Sequence, residues 1–193
     1  MATAPAPTRP AVLNLPNALS TSRLVLAVIL FVCISVEWWP AGLAVFAAAA
    51  ATDWLDGYFA RRMGLAGPFG RNFDPLVDKV LICGAFIFLL PVPEAHLAAW
   101  MVTIVVAREL VITGLRSFLE QQATNFGADW LGKLKMGLQC AALIAILFVR
   151  SLPPDAGAFW EVVQVGLIYA MLVATALSGM QYLWRAALLL RES

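Results

Sequence analysis

Residues 53 to 78 read DWLDGYFARRMGLAGPFGRNFDPLVD and carry four aspartates around a glycine-containing segment. Asp53 and Asp56 are three residues apart, and Asp74 and Asp78 are four apart. In a helix, each of these spacings places both carboxylates on one face. The stretch therefore predicts two helices joined by a short turn, with two carboxylate pairs that share one pocket.

The composition of the chain excludes a water-soluble globular protein. Of the 193 residues, 62% are hydrophobic and 13% are charged, and the mean hydropathy is +0.83. An average soluble domain is about 45–50% apolar and about 25% charged, so lipid must cover part of the apolar surface. Intrinsic disorder is excluded because it needs low hydrophobicity. A fold held together by disulfides is excluded because the chain has three cysteines, which cannot all pair. The net charge of +1 gives no sign of a nucleic-acid partner.

Six stretches of the chain are apolar and long enough to cross a bilayer, which takes about 20 residues. They are residues 22–39, 41–60, 75–92, 96–117, 132–150 and 159–187. Residues 13–24 mix polar and apolar side chains and predict a short juxtamembrane helix before the first span. We therefore expect an all-α polytopic membrane protein, with a disordered tail at residues 1–11 and a single six-helix transmembrane catalytic domain at residues 12–193.

The basic residues predict the orientation of these spans, because cytoplasmic loops are enriched in lysine and arginine. With the N-terminus in the cytoplasm, only Arg150 falls on the far side. The twelve others fall on the cytoplasmic side: Arg9, Arg23, Arg61, Arg62, Arg71, Lys79, Arg108, Arg116, Lys133, Lys135, Arg185 and Arg191. Both termini and the aspartate pocket are therefore predicted to face the cytoplasm.

Four carboxylates at this depth need a positive partner. An ionised carboxylate inside the bilayer costs about 2.5–3.5 kcal/mol on insertion scales, and four like charges repel each other. Ligation by oxygen alone favours Mg²⁺ or Mn²⁺, and two carboxylate pairs predict a site for two ions. The aspartates could instead pair with neighbouring basic side chains, and Asp74 before Pro75 could cap a helix. Capping does not explain Asp53 and Asp56.

The aspartates belong to a longer pattern of eight fixed residues. It runs Asp53-x2-Asp56-Gly57-x2-Ala60-Arg61-x8-Gly70-x3-Asp74-x3-Asp78. The pattern resembles the signature of the CDP-alcohol phosphatidyltransferase family at every defined position, and the resemblance extends along nearly the whole chain from Leu13. It implies the six-span CDP-alcohol phosphotransferase fold of that family.

The same resemblance implies an activity and a set of site residues. The family transfers a phosphatidyl group from CDP-diacylglycerol to an alcohol and releases CMP, in phospholipid biosynthesis. By that analogy the four aspartates bind the metal ions, and Asp78 is also the catalytic base that takes the proton of the acceptor hydroxyl. The CDP donor would be bound by Asp56, Gly57, Ala60, Arg61 and Gly70. The resemblance further implies a homodimer in the cytoplasmic membrane of a bacterium.

Four cations at the same end of the spans bear on the identity of the alcohol. Arg108 and Arg116 are eight residues apart, about two helical turns, and Lys133 and Lys135 open the fifth span. Such a pocket beside a metal site suits the phosphate of an anionic acceptor. Alternatively, the two lysines extend to lipid headgroups and only fix the topology. Glu109 is expected to orient an arginine or a lysine.

Within the family, this chain is similar to the phosphatidylglycerophosphate synthases, whose acceptor is glycerol 3-phosphate. The similarity rests on residues 14–20 with Arg23, residues 74–80, residues 107–109, residues 115–116 and residues 132–135. Inositol phosphate, or phosphatidylglycerol as in cardiolipin synthase, are the alternative acceptors. A divalent-cation transporter is disfavoured, because an ion path needs acidic residues spread through the bilayer and here they gather at one face.

Overall fold

The computed structural model describes residues 15–63, 68–121, 130–153 and 158–192. Across these residues the chain forms six α-helices, one short 3₁₀-helix at Pro93–Ala95 and no β-strand. The α-helices are α1 (Leu15–Ser35), α2 (Trp39–Met63), α3 (Pro68–Leu89), α4 (Ala99–Gln121), α5 (Trp130–Ser151) and α6 (Ala158–Glu192). The all-helical prediction is confirmed for this part of the chain. The predicted tail at residues 1–11 lies outside it.

Two helix starts differ from the sequence-based expectation. The α1 helix is continuous from Leu15, so the described residues show no separate juxtamembrane helix before the first predicted span. The prediction that Asp74 caps a helix with Pro75 at its first position is wrong, because α3 already begins at Pro68. Pro68 itself supplies the fixed φ angle that suits a first helical residue.

A continuous apolar core runs through the helices. Fully buried side chains come from α1 (Leu30), α2 (Phe46), α3 (Phe86), α5 (Leu143) and α6 (Met171). The α1 helix packs against α2 and α3, α2 packs against α5, and α6 packs against both α4 and α5. In this arrangement α1 lies beside α3, and α4 lies beside α6. The charged side chains meet between α1 and α3, and where Glu109 of α4 binds Lys135 near the start of α5.

The outer surface of the helices is also strongly apolar. Large apolar side chains are exposed on α1, α3, α4, α5 and α6, for example Val28, Leu110 and Val173. By length and composition, two of the described helices could cross a membrane, Trp130–Ser151 and the Ala158–Leu188 part of α6. Shorter apolar stretches occupy Thr21–Ser35 and Trp39–Thr52.

The close approach of α1 to α3 depends on a glycine. A Cβ atom added at Gly84 would overlap the ring of Phe31. That ring stacks on Phe88, with centroids 4.7 Å apart and an interplanar angle of 4°. Because the two helices touch here, Arg23 and Asp78 nearer their other ends are also brought into contact.

Candidate active site

The aspartate pattern lies on two consecutive helices. Asp53 and Asp56 are in the second half of α2, and Asp74 and Asp78 are in the first half of α3. Both helices are continuous through these positions, so each pair lies on one helix face as predicted. Four residues separate the two helices. Of the four carboxylates, only that of Asp78 is among the side chains that the structure describes.

The other residues that the resemblance assigns to the CDP donor share this placement. Gly57, Ala60 and Arg61 belong to α2, and Gly70 belongs to the first turn of α3. Their helices are described, but their side-chain environment lies outside the described part of the chain. Their roles remain predictions.

Asp78 is bound by Arg23, an arginine that the sequence analysis did not place in the site. Arg23 of α1 donates from Nη1 to Asp78 Oδ1 at 2.6 Å. The Arg23 side chain is 2% exposed and that of Asp78 is 25% exposed. A buried guanidinium needs such a counter-charge, and the contact fixes one oxygen of the carboxylate. The signal that could have indicated this pair is an arginine at the point where α1 becomes continuously apolar, since such a charge needs a partner.

Glu109 of α4 is the centre of a second group of polar side chains. Lys135 of α5 donates from Nζ to Glu109 Oε1, and Gln139 Nε2 donates to the same oxygen at 3.4 Å. Arg108 Nη1 lies 3.5 Å from it. Glu109, Lys135 and Gln139 are all buried. The prediction that Glu109 orients a lysine or an arginine is therefore confirmed.

The α6 helix holds Arg108 from the opposite side. Arg108 Nη2 donates to Ser178 Oγ at 2.8 Å, and the guanidinium carbon lies 5.7 Å from the centroid of the Tyr182 ring. A Cβ atom at Gly179 would come within 3.3 Å of Arg108 Cγ, so this glycine leaves little spare room. Sequence analysis missed both partners, although Ser178 and Tyr182 are polar residues one helical turn apart in an apolar span. We call Arg108, Glu109, Lys135, Gln139 and Ser178 the α4–α6 polar cluster.

The four cations predicted for the acceptor are not equivalent. Arg108 and Lys135 meet in the α4–α6 polar cluster, whereas Lys133 is exposed. Two residues in a helix are about 200° apart around the axis, so the two lysines face different directions. The alternative that Lys135 extends to headgroups is wrong, because Lys135 is 5% exposed and bound to Glu109. Arg116 lies in α4, and its side chain is outside the described set.

The charges of the α4–α6 polar cluster favour an anion. Arg108 and Lys135 contribute two positive charges and Glu109 one negative charge, which leaves one positive charge over. The Arg108 side chain is 11% exposed, so this charge sits in a poorly solvated environment where a charge-assisted hydrogen bond to phosphate is strong.

The comparison with known proteins identifies the family to which this arrangement belongs. A family model described as CDP-alcohol phosphatidyltransferase matches residues 13–190. The chain belongs to the CDP-alcohol phosphatidyltransferase family. This confirms the resemblance read from the eight-residue pattern.

Three bacterial relatives of this CDP-alcohol phosphatidyltransferase share one name. It is 34% identical over 184 residues to the CDP-diacylglycerol–glycerol-3-phosphate 3-phosphatidyltransferase of Bacillus subtilis (strain 168), over 88% of this chain and 93% of that protein. It is 32% identical over 180 residues to the enzyme of the same name from Escherichia coli (strain K12), again over 88% and 93%. The Shigella flexneri enzyme of that name is also 32% identical over 180 residues, with the same coverage.

The donor set of this family member suits a divalent metal. Among the side chains that the structure describes, no group of three or more histidine, cysteine, aspartate or glutamate residues could hold a metal ion. Asp53, Asp56 and Asp74 lie outside that search. The helical register of α2 and α3 nevertheless gives two carboxylate pairs, and oxygen ligands are those that Mg²⁺ and Mn²⁺ prefer.

Proposed function

We propose that this protein transfers the phosphatidyl group of CDP-diacylglycerol to glycerol 3-phosphate and forms phosphatidylglycerol phosphate and CMP. The observation that carries the proposal is its 34% identity, over 88% of the chain, to a bacterial enzyme whose name states this donor and this acceptor. The α4–α6 polar cluster supports the acceptor, because its surplus positive charge suits a phosphate.

The donor is proposed to bind between α2 and α3. Asp53, Asp56, Asp74 and Asp78 would hold two Mg²⁺ or Mn²⁺ ions. These ions would neutralise the negative charge of the pyrophosphate and of the departing CMP. Gly57, Ala60 and Gly70 offer small side chains where the nucleotide comes close, and Arg61 is one residue from that surface and would contact its phosphates.

The reaction is proposed to be a direct displacement at the β-phosphorus of the donor. The acceptor hydroxyl oxygen forms a new bond to that phosphorus, and the bond from phosphorus to the CMP oxygen breaks. The hydroxyl proton passes to the Asp78 carboxylate, which Arg23 holds through Oδ1 at 2.6 Å. Arg23 is therefore proposed as a positioning residue, which orients the base through this contact.

The phosphate of glycerol 3-phosphate is proposed to bind Arg108, Arg116, Lys133 and Lys135. The described contacts support Arg108 most directly, because Ser178 and the Tyr182 ring hold its guanidinium in a fixed orientation. Lys135 would act together with Glu109, which already binds its ammonium group. Lys133 is exposed and would have to reach the phosphate from the entrance.

The protein is proposed to lie in the cytoplasmic membrane of a bacterium as one catalytic domain over residues 12–193. All six helices would cross the bilayer, with both termini and the active site on the cytoplasmic side. The exposed apolar side chains on five helices support this placement. A homodimer is proposed as well. Gly166 and Ala170 are exposed one turn apart on α6, where helices of two copies could approach closely.

The test of this function is CMP release by the purified protein in detergent. CDP-diacylglycerol and Mg²⁺ or Mn²⁺ are supplied with glycerol 3-phosphate, inositol phosphate or phosphatidylglycerol in separate reactions. We expect release with glycerol 3-phosphate and none with the other two acceptors. If CMP is released only with inositol phosphate or only with phosphatidylglycerol, the proposed donor site stands and the proposed acceptor is wrong.

Asp78→Asn is the matched inactive variant for this assay. It removes the base while keeping the size of the side chain, so we expect CMP release to fall at least about a hundredfold. Binding of CDP-diacylglycerol, measured separately, should change far less. A parallel loss of donor binding would mean that Asp78 acts chiefly as a metal ligand.

A further inference from the structure

A pocket lies at the end of the helix bundle that faces away from Asp78. It has a volume of about 640 Å³ and is formed by the last turns of α1 and α3, the turn before α2, residues 91–94 and Arg150 at the end of α5. Phe88 in this pocket is ten residues beyond Asp78 along α3, about 15 Å. We call it the distal pocket, and it is separate from the proposed active site.

Among the residues that the structure describes, Arg150 is the one cation that lines the distal pocket, and its ion pair with a carboxylate is long. Its guanidinium carbon lies 5.2 Å from the centroid of the Trp39 ring. The nearest carboxylate oxygen, Glu94 Oε2, is 3.6 Å from Nη1, which is beyond hydrogen-bond length. Its Nε is buried and has no hydrogen-bond partner within the described part of the chain. The Arg150 side chain is 26% exposed, and its two Nη groups, unlike the buried Nε, would donate to an oxyanion such as a phosphate.

Two carboxylates in the distal pocket favour a ligand that carries a positive charge in addition to a phosphate. Glu37 and Glu94 also line it, and both are exposed. With Arg150 they give the described lining of the pocket a net charge of −1, so a ligand with negative charge alone would be repelled. A headgroup that carries a phosphate and an ammonium group would match Arg150 and the carboxylates together.

The remaining wall of the distal pocket suits acyl chains. Ile34, Ile87 and Phe88 contribute its apolar side. Ile87 and Phe88 are 49% and 40% exposed, and Val32 on the adjoining face of α1 is 55% exposed. The apolar side of the pocket therefore continues onto the outer surface of α1 and α3, which would face lipid.

We propose that the distal pocket binds a phospholipid whose headgroup carries both a phosphate and a primary amine. The phosphate binds Arg150, the ammonium group lies between Glu37 and Glu94, and the acyl chains follow the surface of α1 and α3. The proposal rests on the membrane location given above and does not depend on the acceptor or on the reaction.

The test is a lipid titration of the full-length, delipidated protein by native mass spectrometry. Phosphatidylethanolamine and phosphatidylglycerol with identical acyl chains are compared, together with soluble phosphoethanolamine. We expect phosphatidylethanolamine to bind about tenfold more tightly than phosphatidylglycerol, and phosphoethanolamine to bind far more weakly because it lacks acyl chains. Equal binding of the two lipids, or equally tight binding of phosphoethanolamine, would overturn the proposal.

Variants assign the binding to the distal pocket. Arg150→Gln should weaken phosphatidylethanolamine binding about tenfold, and Arg150→Lys should weaken it less because the charge is kept. Arg185→Gln, which changes an exposed arginine at the other end of the bundle, is the matched control and should bind as the wild type does. Glu37→Gln combined with Glu94→Gln should abolish the preference for the amine-bearing lipid.

The outcomes of the lipid titration are separable from those of the reaction. Unchanged binding by a folded Arg150→Gln protein would place the lipid elsewhere and overturn the proposal. If Arg150→Gln does not fold, the Arg150→Lys and glutamate variants decide. CMP release is assayed on the same wild-type preparation, so its absence would overturn the proposed function while the lipid measurement stands on its own.

Discussion

Arg23 and Lys135 are buried cations in the proposed site, and each is paired with a carboxylate. Each is at least 94% buried and each contacts one carboxylate, Asp78 for Arg23 and Glu109 for Lys135. A buried ion pair adds little stability relative to apolar residues, but removing one partner leaves an uncompensated charge and costs about 3–5 kcal/mol. Both pairs therefore make the native state depend on side chains that also stand at the proposed catalytic and acceptor positions.

The two lysines of α5 allow a matched test of this dependence. Lys135→Gln leaves Glu109 buried with Arg108 at 3.5 Å and Gln139 at 3.4 Å, so we expect a loss of about 3 kcal/mol. Lys133→Gln changes an exposed lysine two residues away, and we expect a change within about 0.5 kcal/mol. Thermal unfolding in detergent measures both. Equal melting temperatures for the two variants would contradict the buried contact.

For single residues, the sequence predicts which charged side chains need a partner more readily than it predicts the partner. Asp78 and Glu109 could be selected from the sequence, because a carboxylate inside an apolar span must have a partner. The partners were harder to name, since Arg23 is 55 residues from Asp78 and Lys135 is 26 residues from Glu109. Spacing along one helix predicts which residues share a face. It does not predict which helix packs against that face.

At the scale of helices, the contact between α1 and α3 depends on the missing side chain of Gly84. Gly84→Ala would force the Phe31 ring away from its stacked position on Phe88. Overpacking of this kind costs about 1–3 kcal/mol, and we expect the melting temperature to fall accordingly. Gly137→Ala in α5 is the control, because no atom of the described residues lies within 4 Å of its added Cβ, and alanine favours a helix.

Comparison of the two glycine variants tests whether α1 and α3 approach each other closely at Gly84. A melting temperature of Gly84→Ala equal to that of Gly137→Ala would mean that α1 and α3 are farther apart than described. Phe31→Leu combined with Gly84→Ala should recover part of the loss, because the smaller side chain leaves room for the Cβ atom.

The helices themselves were largely predictable, and their ends were not. Each predicted apolar span corresponds to one observed helix, because a run of about 20 apolar residues has few other ways to satisfy its backbone. The start of α3 was misplaced because two prolines, Pro68 and Pro75, both suit a first helical position. The predicted connection between the first two spans, at residue 40, lies too far along the chain, because Trp39 and Pro40 already begin α2.

For the whole molecule, the ends of the bundle differ in their polar residues. Asp78, Lys135 and Arg108 lie toward one end, and the distal pocket with Arg150 lies at the other. In the proposed orientation this separates a cytoplasmic reaction from a lipid site at the opposite surface. The loops that join the helices must then alternate between the two sides of the membrane.

Single-cysteine labelling tests this alternation. Ala158→Cys lies at the start of α6 and Trp130→Cys at the start of α5, and both positions are exposed. The native Cys33, Cys83 and Cys140 are inside helices and at least half-covered, so the parent protein should label weakly with a charged, membrane-impermeant maleimide. In intact spheroplasts we expect Ala158→Cys to react and Trp130→Cys to stay unlabelled until the membrane is lysed.

The reverse pattern would invert the proposed orientation. Labelling of both residues before lysis would mean that α5 does not cross the membrane, because that helix connects the two positions and a single crossing must place them on opposite sides.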